Sequence, residues 1–143
     1  MTLLTAHFTL EELTITEHRE FENVPNETEK ANLMRLAEFL ELVKEQLGGK
    51  PIMVNSAFRS EAVNNACGSK NTSQHRVGCA ADLRVPSMTP DQVVQAIKNS
   101  DLEYDQLIRE FDRWTHISIP NSPNTKSRKQ ILIIDRAGTR PYV

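Results

Sequence analysis

Apolar residues in the first third of the chain recur every three or four positions. In "PNETEKANLMRLAEFLELVKEQLGG", Leu33, Leu36, Ala37, Leu40, Val43 and Leu47 fall on one stripe, with charged side chains between them. That period belongs to a long helix with one buried face. Asn26 and Glu29 have capping-box spacing at its start, and Gly48–Gly49 provide its stop. The stripe reads as core rather than as a cofactor box. "TLEEL" at 9–13 repeats the capping pattern with Thr9 and Glu12, which predicts a short helix.

After residue 50 the pattern changes. "PIMVNSAF" reads as a short strand running into a loop, "SEAVNNA" as a brief helical turn, and "CAADLRV" as a strand ending at Pro86. "TPDQVVQAIKNS" has Thr89 as cap, Pro90 at the first helical position and Gln92 at capping-box spacing, so a helix follows. "DQLIREF", "WTHISI" and "KQILII" predict three more strands, and "NSPNTKSRK" (121–129) a loop. Early helices and late strands give an α+β fold, with N-terminal helices packed on a mostly antiparallel sheet.

Composition narrows the function classes. A chain of 143 residues with 38% hydrophobic content suits one domain spanning 1–143 with a real core, and we expect a monomer. A net charge of -2 argues against a nucleic-acid partner. No run approaches the ~18 apolar residues of a membrane span. "MTLLTAHFTLEEL" lacks the basic start and apolar core of a signal peptide, so synthesis in the cytoplasm is expected. Cys67 and Cys79 make neither a disulfide framework nor a CxxC metal pair.

The remaining signal lies in polar residues that interrupt apolar runs. Asp82 breaks "CAADLRV", and a carboxylate on a buried strand needs a partner, either a metal or an arginine. His75 precedes it in the loop-like "SQHRVG", and His116 interrupts the strand "WTHISI". His7 and His18 have no evident partner and read as structural or solvent-exposed. A His/Asp/His set supplies three ligands and leaves a fourth position open, the pattern of a catalytic zinc, which brings water to a pKa of roughly 7 and polarises carbonyls. HExxH is absent.

Three motifs in this order, "SAFRS" (56–60), "SxHxxGxAxD" (73–82) and "EFDRWTHIS" (110–118), resemble the peptidase M15 family. These are zinc D-Ala-D-Ala carboxypeptidases and related peptidoglycan endopeptidases, many of them phage endolysins, with the hedgehog/DD-peptidase fold. The resemblance implies one Zn2+ held by His75, Asp82 and His116, peptidoglycan stem peptides as substrate, and action at the bacterial cell wall. It places Arg59 on a substrate carboxylate or carbonyl, for which a planar guanidinium is suited. Ser73 either hydrogen-bonds substrate or supports the ligand loop, and Trp114 either lines the cleft or joins the core.

The general base departs from the family pattern. Many members carry an acid three residues before the last histidine, where this chain has Arg113. Glu110 and Asp112 are the available acids. On one continuous strand at ~3.3 Å per residue neither would reach the site. A three-residue turn at 112–114 would set Glu110 opposite His116, whereas a two-residue turn would put it on the wrong face. Glu110 is therefore the expected base and Asp112 the runner-up. The hedgehog domain, which shares the fold, likewise has a Glu six residues before its last zinc histidine. The rival reading is a non-catalytic zinc-binding or phage-structural protein that retains the fold, for which Arg113 is the supporting feature.

Overall fold

The computed structural model describes residues 2–142. Helix α1 (Leu10–Leu13) and helix α2 (Glu27–Gln46) come first, and both open on complete capping boxes, Thr9 with Glu12 and Asn26 with Glu29. Strand β1 (Met53–Ser56), helix α3 (Glu61–Ala66), a 3₁₀ turn (Gln74–Val77) and strand β2 (Ala80–Arg84) follow. Helix α4 (Pro90–Lys98) then leads to β3 (Gln106–Glu110), β4 (Trp114–Ser118), β5 (Gln130–Asp135) and β6 (Gly138–Pro141). Thr89 caps α4 with Gln92 as its reciprocal partner and Pro90 at the start.

All six strands form one sheet in the order β1-β2-β4-β3-β5-β6. Every neighbouring pair is antiparallel except β3 with β5. This is the expected α+β architecture. Strand β6 is an addition to it. "GTRP" is exposed throughout and carries a proline at its end, so it shows neither alternation nor an apolar run. It pairs with β5 as an edge strand, where a proline is tolerated.

The predicted α2 stripe is buried in full: Leu33, Leu36, Ala37, Leu40 and Val43 are inaccessible and Leu47 nearly so. It shares one core with Leu83, Leu107 and Ile117 of the sheet and Val93, Val94 and Ile97 of α4. The N-terminal half of α2 also fixes the segment that bears His75. Asn32 donates to the Val77 carbonyl at 2.9 Å, and Arg76 pairs with Glu29 at 3.0 Å. Gly78 has φ +80, and a Cβ there would lie 2.9 Å from the Glu29 carbonyl oxygen and 3.1 Å from Leu33 Cγ. A glycine is what lets the chain turn this close to the helix before entering β2.

Candidate metal centre and cleft

Pairing of β2 with β4 sets Asp82 directly opposite His116. The 3₁₀ turn brings His75 over the same face, with Ser73 capping it by accepting the His75 backbone N–H at 3.3 Å. Asp82 Oδ1 lies 3.3 Å from His75 Nε2 and 3.0 Å from His116 Nδ1. One ligand atom from each of the three lies within 4.8 Å of the others, and all three residues are buried.

These three groups fit a zinc ion. At zinc–ligand bonds of about 2.0–2.1 Å, tetrahedral ligand atoms are spaced by roughly 3.4 Å, close to the separations found. The tautomer is also prepared. His75 Nδ1 sits 2.7 Å from the Ala57 carbonyl, which can only accept, so the proton is on Nδ1 and the Nε2 lone pair faces Asp82. Burial lowers the His75 pKa and outweighs the pull of Asp82, which keeps the ring in its neutral, ligating form. Burial would raise the Asp82 pKa, but the two histidines beside Oδ1, with His116 Nδ1 at hydrogen-bonding distance, hold it well below the ordinary carboxylate range. Arg59 Nη2 takes the other carboxylate oxygen, Oδ2, at 3.1 Å and leaves Oδ1 to the histidine side. Arg59 Nε in turn donates to Ser56 Oγ at 3.0 Å.

The β3–β4 connection differs in register from the sequence-based expectation. Glu110 is opposite Trp114, and Ile108 is opposite His116, so the loop is 111–113 rather than 112–114. Phe111 and Asp112 both adopt positive φ, 54 and 52, and Arg113 N–H closes the turn on the Glu110 carbonyl at 3.0 Å. The loop still has odd length, so Glu110 and His116 share a face, two pairs apart along the ladder. Glu110 Oε1 lies 3.9 Å from His116 Nδ1. Burial, then the charge of Asp82, raise its pKa above the usual glutamate value. Asp112 stands elsewhere: it is exposed and pairs at 3.0 Å with Arg109, which also holds Asp91 of α4. Arg113 is exposed and lies beside Thr115 and Met88, outside the cleft.

A cleft of ≈ 770 Å³ collects Arg59, Ser73, His75, Asp82, Glu110, Trp114 and His116. Every candidate residue read from the sequence except Asp112 therefore lines one cavity. Trp114 Nε1 is buried with no acceptor in hydrogen-bonding geometry, although its proximity favours the Glu110 carboxylate. Five polar residues of the lining were not singled out in sequence: Ser69, Thr72, Gln74, Gln106 and Arg128. Gln74 had a faint signal, being next to His75. Arg128 had none, since it lies in a stretch that reads as an ordinary polar loop. A second groove shares Arg59, Cys67, Asp82 and Trp114 and continues past Val54, Asn55, Arg84 and the 15–18 segment, including His18. His7 is remote, bound to Glu41 at 2.7 Å. Cys67 is exposed, Cys79 is buried, and both are free thiols. No helix among the described residues is long and apolar enough to cross a membrane.

Comparison with known proteins follows the same lines. A curated relative, the zinc D-Ala-D-Ala carboxypeptidase of Streptomyces albus G, is 36% identical over 72 residues. That stretch is 50% of this chain and 28% of the relative, so the match spans under a third of that protein's length. A family model described as Peptidase M15 matches residues 6–118. The family and this relative together imply Zn2+ as cofactor, and the His75, Asp82 and His116 cluster is where this chain could hold it. Because the matched residues run from ahead of α1 to the end of β4, and so take in the whole ligand cluster and the strands that carry it, the chain belongs to the peptidase M15 family.

Proposed function

We propose that this protein is a zinc peptidase that hydrolyses peptide bonds in peptidoglycan stem peptides. The observation that carries the reading is the convergence of a buried His/Asp/His cluster and a raised-pKa carboxylate, Glu110, in one open cleft. His75 Nε2, Asp82 Oδ1 and His116 Nδ1 would hold the ion. When bound, zinc supplies a Lewis acid that polarises a carbonyl and brings the pKa of water towards neutrality.

The chain's own residues supply the rest. Glu110 takes the proton of the attacking water and returns it to the leaving amine, a task for which a raised pKa is favourable. Arg59 is held against Asp82 and Ser56, and its remaining N–H groups bind a substrate carbonyl or carboxylate at the cleft wall. The Trp114 indole N–H, lacking an internal acceptor, offers a hydrogen bond to the bound peptide. Ser73 caps the turn that carries His75, and so supports the metal set directly. The finer reading, a lytic enzyme of the phage endolysin type that acts as a monomer at the cell wall, rests on the three-motif resemblance.

Digestion of purified peptidoglycan, with products identified by mass spectrometry, tests this reading. Zinc-loaded protein should release new peptide termini, and a chelator should abolish the release. Fully zinc-loaded protein that leaves every muropeptide intact would instead favour a non-catalytic zinc-binding role.

A further inference from the structure

The cleft extends from the metal cluster along β3 towards its start, and Arg128 stands in that arm. Arg128 belongs to the segment leading into β5, beyond residues 6–118 that match the family, so nothing in the family match assigns it. Its guanidinium is fixed from behind. Nη2 donates to Asp105 Oδ2 at 2.7 Å, and Nε lies 3.1 Å from both Asp105 oxygens. The Arg128 backbone N–H also binds Asp105 Oδ1 at 3.0 Å.

Asp105 is a firm support. It is 4% exposed, and Gln74 Nε2 donates to it at 3.1 Å. Gln74 is the neighbour of His75, so the strut connects the arm to the metal-bearing turn. The chain on the other side is pinned as well: Lys129 N–H bonds the Tyr104 carbonyl at 3.2 Å and Gln130 N–H the Asp105 carbonyl at 3.0 Å. One edge of the Arg128 fork is thus occupied, while the side chain, which lines the cleft, remains 55% exposed. A guanidinium has donors on two edges, and one anchored by the first presents the second with little ordering cost.

The arm's composition says what that edge would meet. The cleft lining has two carboxylates, Asp82 in the metal cluster and Glu110 beside it. The arm itself is made of Arg128 and neutral polar groups such as Gln74, Gln106, Thr72 and Ser73. Asp105 balances the charge of the guanidinium from behind, and no second acid lines the arm, so the free edge of the fork suits a carboxylate. Asp105 precedes Ile108, the partner of His116, by three residues, or roughly 10 Å of strand. An extended peptide would cover that distance in about three residues.

We propose that Arg128 is a specificity-determining residue that binds a substrate carboxylate within about three residues of the scissile bond. The inference rests on the peptidase reading above. Two sources can supply such a group, the C-terminal carboxylate of the peptide or a carboxylate borne by an internal residue. The first corresponds to removal of terminal residues and the second to cleavage within a chain.

Binding can be measured apart from turnover by titrating stem peptides calorimetrically into zinc-loaded Glu110→Gln protein. Three peptides are compared: both carboxylates free, the C-terminus amidated, and the internal acid amidated. One amidation should weaken binding on the order of 10- to 100-fold, the range of a charge-assisted hydrogen bond. That penalty should vanish in Glu110→Gln/Arg128→Gln, and whichever amidation is involved identifies the source. Arg128→Lys, which keeps the charge but loses the fork, should retain a smaller penalty and guards against a merely misfolded Gln variant. An amidation penalty unchanged by Arg128→Gln, or none in either background, overturns the assignment while leaving the peptidase reading intact if the unmutated protein cuts peptidoglycan. Failure of all three peptides to bind, with no cutting by the unmutated protein, overturns both.

Discussion

The central strands carry different chemistry on their two faces. On β4, Thr115 and Ile117 turn towards the helices and are fully covered, whereas Trp114 and His116 line the cleft. On β2, Leu83 joins the core and Asp82 the metal cluster. On β3, Leu107 is buried against the helices, while Gln106, Ile108 and Glu110 face the cleft. One step along the backbone separates a side chain that stabilises from one that binds. The helix side is dominated by apolar side chains, and the cleft side holds buried polar atoms that lack a hydrogen-bond partner, such as Trp114 Nε1 and Gln74 Oε1. Stability is drawn from one face, so the other is free to hold ionisable groups at unusual pKa values.

This division can be broken from either face. The largest effect is expected at His116→Ala, which should lower zinc affinity by more than the roughly 10- to 100-fold typical of groups that only support a ligand. The melting temperature of the metal-free protein should change little. Zinc titration followed by thermal melting checks both, and unaltered zinc affinity would remove His116 from the ligand set. Leu107→Ala, one pair along the ladder from His116's partner Ile108, should do the reverse. It should cost about 2–5 kcal/mol of stability, as truncation of a fully buried leucine does, while the folded fraction still binds zinc at full stoichiometry. Denaturant unfolding of the metal-free form measures this, and a loss below about 1 kcal/mol would show the core face to be less committed than described.

The smallest effect concerns Asp105, which sits where the core meets the cleft arm. Burial raises its pKa, but hydrogen bonds and charge from Arg128 bring the net value below the usual carboxylate level. Its folded pKa lies under its unfolded one, so its contribution is present above about pH 4. That contribution is lost as pH falls through the lowered folded value. Asp105→Asn should therefore differ most from the parent near neutrality and converge with it in acid. Denaturation midpoints from pH 7 down to 2 test this, and a constant gap across that range would contradict it.

Much of this was legible in the sequence because it depends on local rules. The capping boxes at Thr9, Asn26 and Thr89 and the α2 stripe are properties of spacing, and each is where spacing puts it. Asp82 and His116 showed themselves as polar residues in apolar runs, and His75 by its place in the loop just ahead of the Asp82 strand. What spacing could not supply was the register across the β3–β4 turn. Placing Glu110 opposite Trp114 rather than His116 required knowing which residues take positive φ, and Phe111 and Asp112 are neither glycine nor asparagine to announce it. Parity alone was recoverable, and parity decides the face. Strand β6 and the place of Arg128 were hidden for another reason. Arg128 depends on pairing with a distant residue, Asp105, and β6, although joined to β5 by a tight turn, has no apolar pattern of its own.

Glu110 is the residue on which the catalytic account turns, because the sequence offers Arg113 at the usual position and the turn at 111–113 supplies the alternative. Zinc content and stem-peptide turnover measured side by side in Glu110→Gln test it directly. The account predicts about one zinc per chain, an unchanged melting profile and a fall in turnover of at least 10²- to 10⁴-fold, the contribution of a general base. Turnover within a fewfold of the unmutated protein at full zinc loading would contradict it.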